Sequence, residues 1–358
     1  IIPWDIYNIT GDKRVLEENF DMAKKWIGYY QSKAKDHIPN IHSFADWLQP
    51  YPDKGGKTGN RGDTPRLFVN TAYFAHSAHL VSKISGVLGK TEDEQKYKAL
   101  YKDIATAFEA RFFDANGKFK NKKQTQTSYL LAIYFDLLQP ETKVKAEKHL
   151  LEEIKNANYH LGTGFLGTPI LPKVLDDMGE IDLMYKILFK ETYPSWFYSI
   201  NQGATTMWER WNSYSIEGGY NPQSMNSLNH YAYGAVGQWM YERIAGLSAL
   251  EPGYKSIRIA PKPNEPLTSA EASVNTPYGK ATSSWQLKNK IFNLDVVIPP
   301  NTSAEIHLPK TSKQDVLVNG KILDESSPFK LIEKNDKSIV LAVHSGTYQF
   351  QTKLNSDE

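Results

Sequence analysis

The stretch RLFVNTAYFAHSAHLVSKISGVL, residues 66–88, followed by EDEQKYKALYKDIATAFEARFF, residues 92–113, decides the fold class. In the first, Leu67, Phe68, Val69, Ala72, Phe74, Ala75, Ala78, Leu80 and Val81 put apolar or small groups on most faces of a helix. A helix apolar nearly all round is buried on both sides. In the second, Tyr97, Leu100, Tyr101, Ile104 and Phe108 recur at three- and four-residue spacing, with Glu, Lys and Asp opposite. That helix covers a core on one side only. Between them Gly89 supplies a left-handed residue after the first helix, and Thr91 and Glu94 have capping-box spacing.

The alternation continues along the chain. Residues 124–138 (Ser128, Tyr129, Leu130, Leu131, Ala132, Ile133, Tyr134, Phe135) are again apolar all round, and 142–156 are again charged on one face. Residues 225–246 read as a mostly buried helix through Leu228, Ala232, Ala235, Val236 and Trp239, with Gly234 and Gly237 permitting close approach. Inner helices alternating with outer ones describe a double layer of hairpins. Closed up, this is an α/α toroid; an open helical solenoid is its rival, but no repeat of fixed period is present. Eight or nine helices are expected between residues 13 and 246, short of a full toroid. After Gly246 the pattern changes. Short alternating runs at 293–298, 303–308 and 316–323 lie in Pro-, Asn-, Ser- and Thr-rich sequence, and Asn319-Gly320 suits a two-residue type I′ hairpin. The expected organisation is a mainly α domain at 1–250 and an antiparallel β-sandwich at 251–358.

Composition narrows the function classes. The 358 residues carry a net charge of +2, which gives a nucleic-acid partner no general electrostatic support. With no cysteine there are no disulfides, thiolate metal sites or thiol catalysis. No run of 18 apolar residues is present, so no membrane partner is expected. Eight Trp and 21 Tyr supply ample apolar material.

Three motifs tempt and fail. Gly162-Thr163-Gly164-Phe165-Leu166-Gly167 has dinucleotide-fingerprint spacing, but no buried strand leads into it and no βαβ pattern surrounds it. A tight loop entering a helix near Pro169–Met178 is the better reading. Gly55-Gly56-Lys57-Thr58 lacks the earlier glycine of a phosphate-binding loop, since Tyr51 stands there, and Arg61-Gly62-Asp63 is a tripeptide in a polar loop. His76 and His79, three apart on a buried-looking helix, read as satisfied core histidines rather than a metal pair. No metal and no cofactor is expected.

What survives is Gly203-Ala204-Thr205-Thr206-Met207-Trp208-Glu209-Arg210-Trp211, which sets one carboxylate and one guanidinium between two indoles. Exposed indoles and buried charges are both costly, so such a segment lines a wet, partly apolar cleft. Sugars suit it, because their C–H faces stack on aromatics and their hydroxyls need polar partners. The plainer account is a surface Glu209–Arg210 pair with two core tryptophans. Further polar-aromatic clusters are Trp4-Asp5, Asp46-Trp47, Trp196 and Asn229-His230-Tyr231. Their plain reading, for Asn229 and His230, is hydrogen-bonded residues at a helix start.

Taken in order, Ile2-Pro3-Trp4 through Gly11-Asp12, Asp46-Trp47, Thr71-Ala72-Tyr73, Gly162 to Pro169, Tyr193-Pro194-Ser195-Trp196, Gly203 to Trp211 and Ser227-Leu228-Asn229-His230-Tyr231 resemble the bacterial α-L-rhamnosidases of glycoside hydrolase family 78. The likeness covers nearly the whole chain. Its specific part is Thr206-Met207-Trp208-Glu209-Arg210-Trp211 paired with Ser227-Leu228-Asn229-His230. The resemblance implies an (α/α)6 barrel followed by a C-terminal β-sandwich, and release of terminal α-L-rhamnose with inversion. By the motif match Glu209 is the general base. Trp196, Trp208, Trp211 and His230 form a sugar-facing wall, Asp46 binds sugar or water, and Trp47 and Asn229 join the substrate-binding set. The family's general acid lies in an acidic motif ending in Gly-Trp, upstream of the Ile-Pro-Trp segment, and no such cluster occurs here. The resemblance therefore implies a portion of a longer enzyme, inactive by itself, with opening barrel helices missing. The exposed inner faces would favour a homo-oligomer. The implied partner is a rhamnose-containing oligosaccharide, polysaccharide or glycoside, and a periplasmic or extracellular setting suits it better than the cytoplasm. Another α/α-toroid enzyme, a non-catalytic carbohydrate-binding module and a helical scaffold for protein partners are the alternatives, since fold alone does not settle substrate.

Overall fold

A computed structural model describes residues 1–50, 62–223, 225–309, 316–323, 329–334 and 338–354. Gly55-Gly56-Lys57-Thr58 and Arg61 lie outside the described residues. The chain divides into two compact units, Glu17–Val236 and a second made of Ile1–Leu16 with Gly237–Glu358.

The first elements are α1 (Ile2–Thr10), α2 (Arg14–Lys33) and a two-stranded ribbon of β1 (Ala34–Lys35) and β2 (Ile38–Pro39). Then come α3 (Arg66–Val87), α4 (Thr91–Phe112), α5 (Gln126–Tyr134), α6 (Pro140–Asn156), α7 (Leu171–Asp177), α8 (Ile181–Leu188) and α9 (Trp196–Asn201). The inner and outer character is as the periodicity requires. On α3, Phe68, Ala72, Phe74, Ala75 and Ala78 are all fully enclosed, while α4 buries only Tyr97, Leu100, Ile104, Phe108 and Phe112. In α5 the residues from Gln126 to Ile133 are all buried; in α6 only Ala146, Leu150 and Ile154 are. The inner and outer layers meet through aromatics: Phe68 lies 4.8 Å from Phe108, 5.2 Å from Phe112 and 4.8 Å from Phe119. Each such ring contributes roughly 1.5–3 kcal/mol by burial.

Two local expectations are corrected. No capping box forms, because α4 already begins at Thr91, leaving Lys90 as the N-cap without a side-chain bond. Gly89 does take the left-handed conformation, at φ 69°. The expected helix over 225–246 is mostly not helical before Ala232. Helical structure runs as a 3₁₀ turn at Ala232–Ala235, a short α10 (Val236–Trp239) and a π turn at Met240–Ile244. Residues 227–230 instead pair with 206–209, which uses their backbone groups.

The second unit is built on two long strands. β9 (Ile291–Pro309) and β13 (Ser338–Lys353) run antiparallel along their whole lengths, with a register shift at His344/Gly346. In the chain before them lie β3 (Tyr214–Ser215) and β4 (Gly219–Tyr220) of the helical unit, then β5 (Leu247–Ala249), β6 (Ser256–Ile259), β7 (Ser269–Thr276) and β8 (Gly279–Lys288). β10 (Leu317–Val318), β11 (Lys321–Ile322) and β12 (Lys330–Lys334) complete the set. The first half of β9 pairs with β8, and its second half with β6. The long strands are thus shared between two half-sheets whose inward residues, Phe292, Leu294, Ala304, Ile306, Leu341 and Phe350 among them, form one core. This is a sandwich made from one continuous sheet. The β6–β9 pairing is parallel, a departure from the all-antiparallel expectation. The Asn319-Gly320 turn links β10 to β11 with both residues at positive φ, 51° and 76°, as a type I′ turn demands. In the same unit, α1 ends on Gly11, where an added Cβ would lie 3.3 Å from Gly253 Cα. Among the described residues no helix is long and apolar enough to cross a membrane.

Candidate functional site

The site residues all belong to the helical unit, and two loops place them. The first, residues 42–50, carries Asp46-Trp47 between Ala45 (φ 55°) and Leu48 (φ 56°), both in the left-handed region that L-residues with a Cβ enter at a cost. Asp46 has 0% exposure. Its Oδ2 accepts from Thr127 Oγ1 at 2.5 Å and Gly164 N at 2.8 Å; its Oδ1 accepts from Leu166 N at 2.9 Å and Gly167 N at 3.2 Å. The Gly162–Gly167 loop is therefore an anion cradle after all, but its anion is a side chain of the same protein. The glycines have a steric reason: a Cβ on Gly164 would lie 2.2 Å from Trp47 O, and one on Gly167 2.4 Å from Thr127 Oγ1. Burial raises the Asp46 pKa, and the four donors oppose that rise only in part. With both oxygens occupied and no exposure, Asp46 does not fit the sugar- or water-ligand role expected of it. It clamps the Trp47 loop to the 162–168 loop, a bond completed by Phe165 N donating to Trp47 O at 2.8 Å.

The second placement is made by the 206–209 and 227–230 segments. Glu209 N donates to Ser227 O and Ser227 N donates back to Glu209 Oε2, both at 2.9 Å; His230 N donates to Met207 O at 2.8 Å. Glu209 is 4% exposed, and its Oε1 takes no hydrogen bond among the described residues. One oxygen is held and the other is left for a ligand or water. Arg210 Nε donates to Met225 O at 2.9 Å, and burial lowers the Arg210 pKa against the pull of Glu209. Between the two segments β3 and β4 form a small hairpin, with Tyr214 edge-on to Trp208 at 6.4 Å.

A residue that sequence reasoning missed holds these pieces together. Tyr233, 1% exposed, stacks on Trp211 at 3.9 Å and meets Phe165 edge-on at 5.2 Å. Its hydroxyl donates to Leu48 O at 2.9 Å, and its carbonyl accepts Trp196 Nε1 at 2.9 Å. Burial keeps that hydroxyl protonated, with its pKa raised well above the usual phenol value. Nothing in Ala232-Tyr233-Gly234-Ala235 distinguishes such a hub from an ordinary core tyrosine. Phe165 was visible only as a member of a glycine motif.

The aromatic residues sort into two groups. Trp196, Trp208 and Trp211 are buried, at 5%, 6% and 3% exposure, and Trp196 meets Trp211 edge-on at 5.3 Å. Trp196 and Trp211 pack around Tyr233, while Trp208 meets Tyr214. Trp47 and His230 are half-buried, and Phe44, 5.2 Å from Trp47, is exposed. His230 stacks on Phe165 at 4.9 Å. Asn229 is exposed, its N–H donating to Ser227 Oγ at 3.1 Å and its carbonyl accepting from the same hydroxyl. His76 lies flat on Phe135 at 4.0 Å, away from any cluster of metal ligands among the described residues.

Alternating inner and outer helices, with a half-held carboxylate set between indoles, define a helical-hairpin glycosidase domain. The chain belongs to the bacterial α-L-rhamnosidases: the family's 6 hairpin glycosidase domain matches residues 1–244, and its C-terminal domain matches residues 246–322. An α-L-rhamnosidase of Formosa agariphila is 57% identical over 99% of this chain and 38% of its own length. One from Alteromonas sp. is 46% identical over 98% of this chain and 37% of its own. The crystal structure of Streptomyces avermitilis α-L-rhamnosidase complexed with L-rhamnose superposes with a TM-score of 0.89 at 35% identity, covering 98% of this chain and 32% of that one. The structure of the Dictyoglumus thermophilum enzyme gives 0.87 at 34% identity, covering 98% and 38%. The chain thus spans about a third of the length of the relatives it matches.

Proposed function

We propose that this chain carries the water-activating half of an inverting α-L-rhamnosidase site, with Glu209 as general base. The observation that carries the reading is the half-held carboxylate: Ser227 N fixes Oε2 while Oε1 stays without a donor among the described residues. A base needs this arrangement, an oriented carboxylate with one oxygen open to the proton of a water. An inverting hydrolase also needs a carboxylic acid roughly 6.5–9.5 Å across the cleft. The match to a third of each relative's length supports placing that acid in a part of the enzyme outside these 358 residues. Trp47, His230 and Asn229, the less enclosed members of the set, are the proposed contacts to rhamnose, with Trp196, Trp208 and Trp211 as backing. The substrate is a rhamnose-terminated glycoside, oligosaccharide or polysaccharide. The domains are assigned as a catalytic barrel at 1–250 and a β-sandwich at 251–358, and a polymeric substrate favours a periplasmic or extracellular setting.

Glu209→Gln in the intact enzyme tests this. Glutamine retains the oxygen that Ser227 N needs, so folding is preserved, whereas hydrolysis of an aryl α-L-rhamnoside falls roughly 10²- to 10⁴-fold. A loss of less than tenfold removes Glu209 from the base role. Robust turnover by residues 1–358 alone removes the proposal that the acid lies elsewhere.

A further inference from the structure

The pairing of 206–209 with 227–230 is irregular. One rung is Glu209 N to Ser227 O at 2.9 Å, and the next is His230 N to Met207 O at 2.8 Å. Between these rungs one segment has the single residue Trp208, and the other has two, Leu228 and Asn229. An extra residue on one side is the arrangement of a β-bulge, which leaves backbone groups outside the ladder and re-aims the side chains beside it. Here the carbonyls of the two bulged residues are taken up by side-chain hydroxyls. Thr206 Oγ1 donates to Leu228 O at 2.5 Å. Ser227 Oγ donates to Asn229 O and accepts from Asn229 N, both at 3.1 Å. The peptide joining Leu228 to Asn229 is thus gripped at both of its polar groups, its carbonyl by Thr206 and its N–H by Ser227.

The two side chains beside the bulge are not equally held. His230 has anchors besides its rung: its Nδ1 accepts from Ala232 N at 3.3 Å, and its ring stacks on Phe165 at 4.9 Å. Among the described residues the Glu209 carboxylate has one, Ser227 N on Oε2 at 2.9 Å. A carboxylate held by a single bond pivots when that bond slackens, and proton abstraction depends on its distance and direction. Of the two hydroxyl grips, that of Ser227 lies within its own segment and moves with it. That of Thr206 crosses from the segment carrying Glu209, so it fixes one segment against the other.

We propose that Thr206 is a positioning residue for the general base. Its hydroxyl, through Leu228 O, holds the Ser227 N–H at Glu209 Oε2 and thereby keeps Oε1 directed at the water to be deprotonated. The assignment rests on the reading of Glu209 as that base. Thr206 acts through Ser227 and Glu209 and touches no reacting atom. Because Thr206 is exposed, removing its hydroxyl leaves the core intact.

The test is a double-mutant cycle in the intact enzyme. Hydrolysis of 4-nitrophenyl α-L-rhamnoside and inhibition by L-rhamnose are measured for each variant. Thr206→Val keeps the β-branched shape and removes the donor. It is expected to lower kcat roughly three- to tenfold, the range of one net hydrogen bond. KM and the L-rhamnose inhibition constant should stay within about twofold, and Thr206→Ser, which keeps the hydroxyl, should restore kcat. With Glu209→Gln already present, Thr206→Val should lower the residual rate by less than about twofold, because the group it acts through is gone. Thr206→Ala, also without the donor, takes the place of valine should that variant not fold. An equal loss in the parent and Glu209→Gln backgrounds overturns the positioning role, as does a donorless variant with unchanged kcat or a serine variant as slow as the valine one. Weaker L-rhamnose inhibition at unchanged kcat makes Thr206 a direct sugar contact instead. If Glu209→Gln alone costs less than tenfold, the base reading falls and takes this assignment with it. A large Glu209→Gln loss with a fully additive Thr206→Val loss overturns the positioning role alone.

Discussion

Asp46→Asn is the sharpest probe of the clamp that places the site. The carboxylate meets four donors with its two oxygens. In the better of its two orientations, asparagine keeps its oxygen toward Leu166 N and Gly167 N and turns its amide toward Thr127 and Gly164. The Thr127 hydroxyl can rotate to accept from that amide. Gly164 N–H cannot, and is left buried and facing another donor. One unmade buried bond costs about 1–3 kcal/mol, and the surviving bonds lose their charge assistance, worth about another 1–2 kcal/mol. Removing a carboxylate whose burial raises its pKa returns part of this. The net expectation is about 2–4 kcal/mol of destabilisation, a fall of roughly 5–12 °C in Tm for a unit of this size. Thermal unfolding at 222 nm measures the loss. Hydrogen exchange locates it, with protection lost first at the Gly164, Leu166 and Gly167 amides. Asp46→Ala, which orphans all four donors, should be worse than Asp46→Asn. An asparagine variant within 0.5 kcal/mol of the parent, with those amides still protected, would refute the clamp.

Three further variants test the packing elsewhere in the helical unit. Gly164→Ala places a methyl 2.2 Å from Trp47 O, where backbone and not a flexible side chain must yield, so a loss of about 3 kcal/mol or more is expected by urea titration; Gly89→Ala, strained only by its φ of 69° with no atom within 4 Å, should cost about 1 kcal/mol. His76, stacked on Phe135, has its pKa pushed by burial, and secondarily by His79, from 6.5 down to about 3. Its folded pKa is depressed, so the unfolded chain binds the extra proton between those values and stability falls as pH drops from 6.5 toward 3. His76→Gln should flatten that part of the stability–pH curve, and an unchanged slope would show that His76 is not its source.

The helical layering was legible because burial leaves a periodic trace within one segment. Phe68, Ala72 and Ala75 announce a helix enclosed on all sides without reference to what encloses them. Asn319-Gly320 likewise announces its turn, since positive φ at two successive residues is a local demand. The candidate site was legible only as a roster. The sequence placed Glu209 among tryptophans and flagged Asp46-Trp47, but it assigned Asp46 to the ligand. The Gly162–Gly167 loop, rejected as a nucleotide site for want of a strand, gave no hint that its anion lay 118 residues upstream at Asp46. The apolar periodicity across 225–246 suggested one helix, and the pairing of 227–230 with 206–209 took precedence over it.

By itself, then, the sequence determined the alternation of inner and outer helices, the change to short strands after Gly246, and which side chains were candidates for chemistry. Those properties depend on neighbours three or four residues away in a helix and two in a strand. Only the tertiary structure decided which indoles became backing and which rings stayed open, that Asp46 serves the loops and not the sugar, and that Tyr233 joins Leu48, Phe165, Trp196 and Trp211. These are choices among partners far apart in the chain, made by steric fit and hydrogen-bond satisfaction when the segments meet, and no local pattern encodes them.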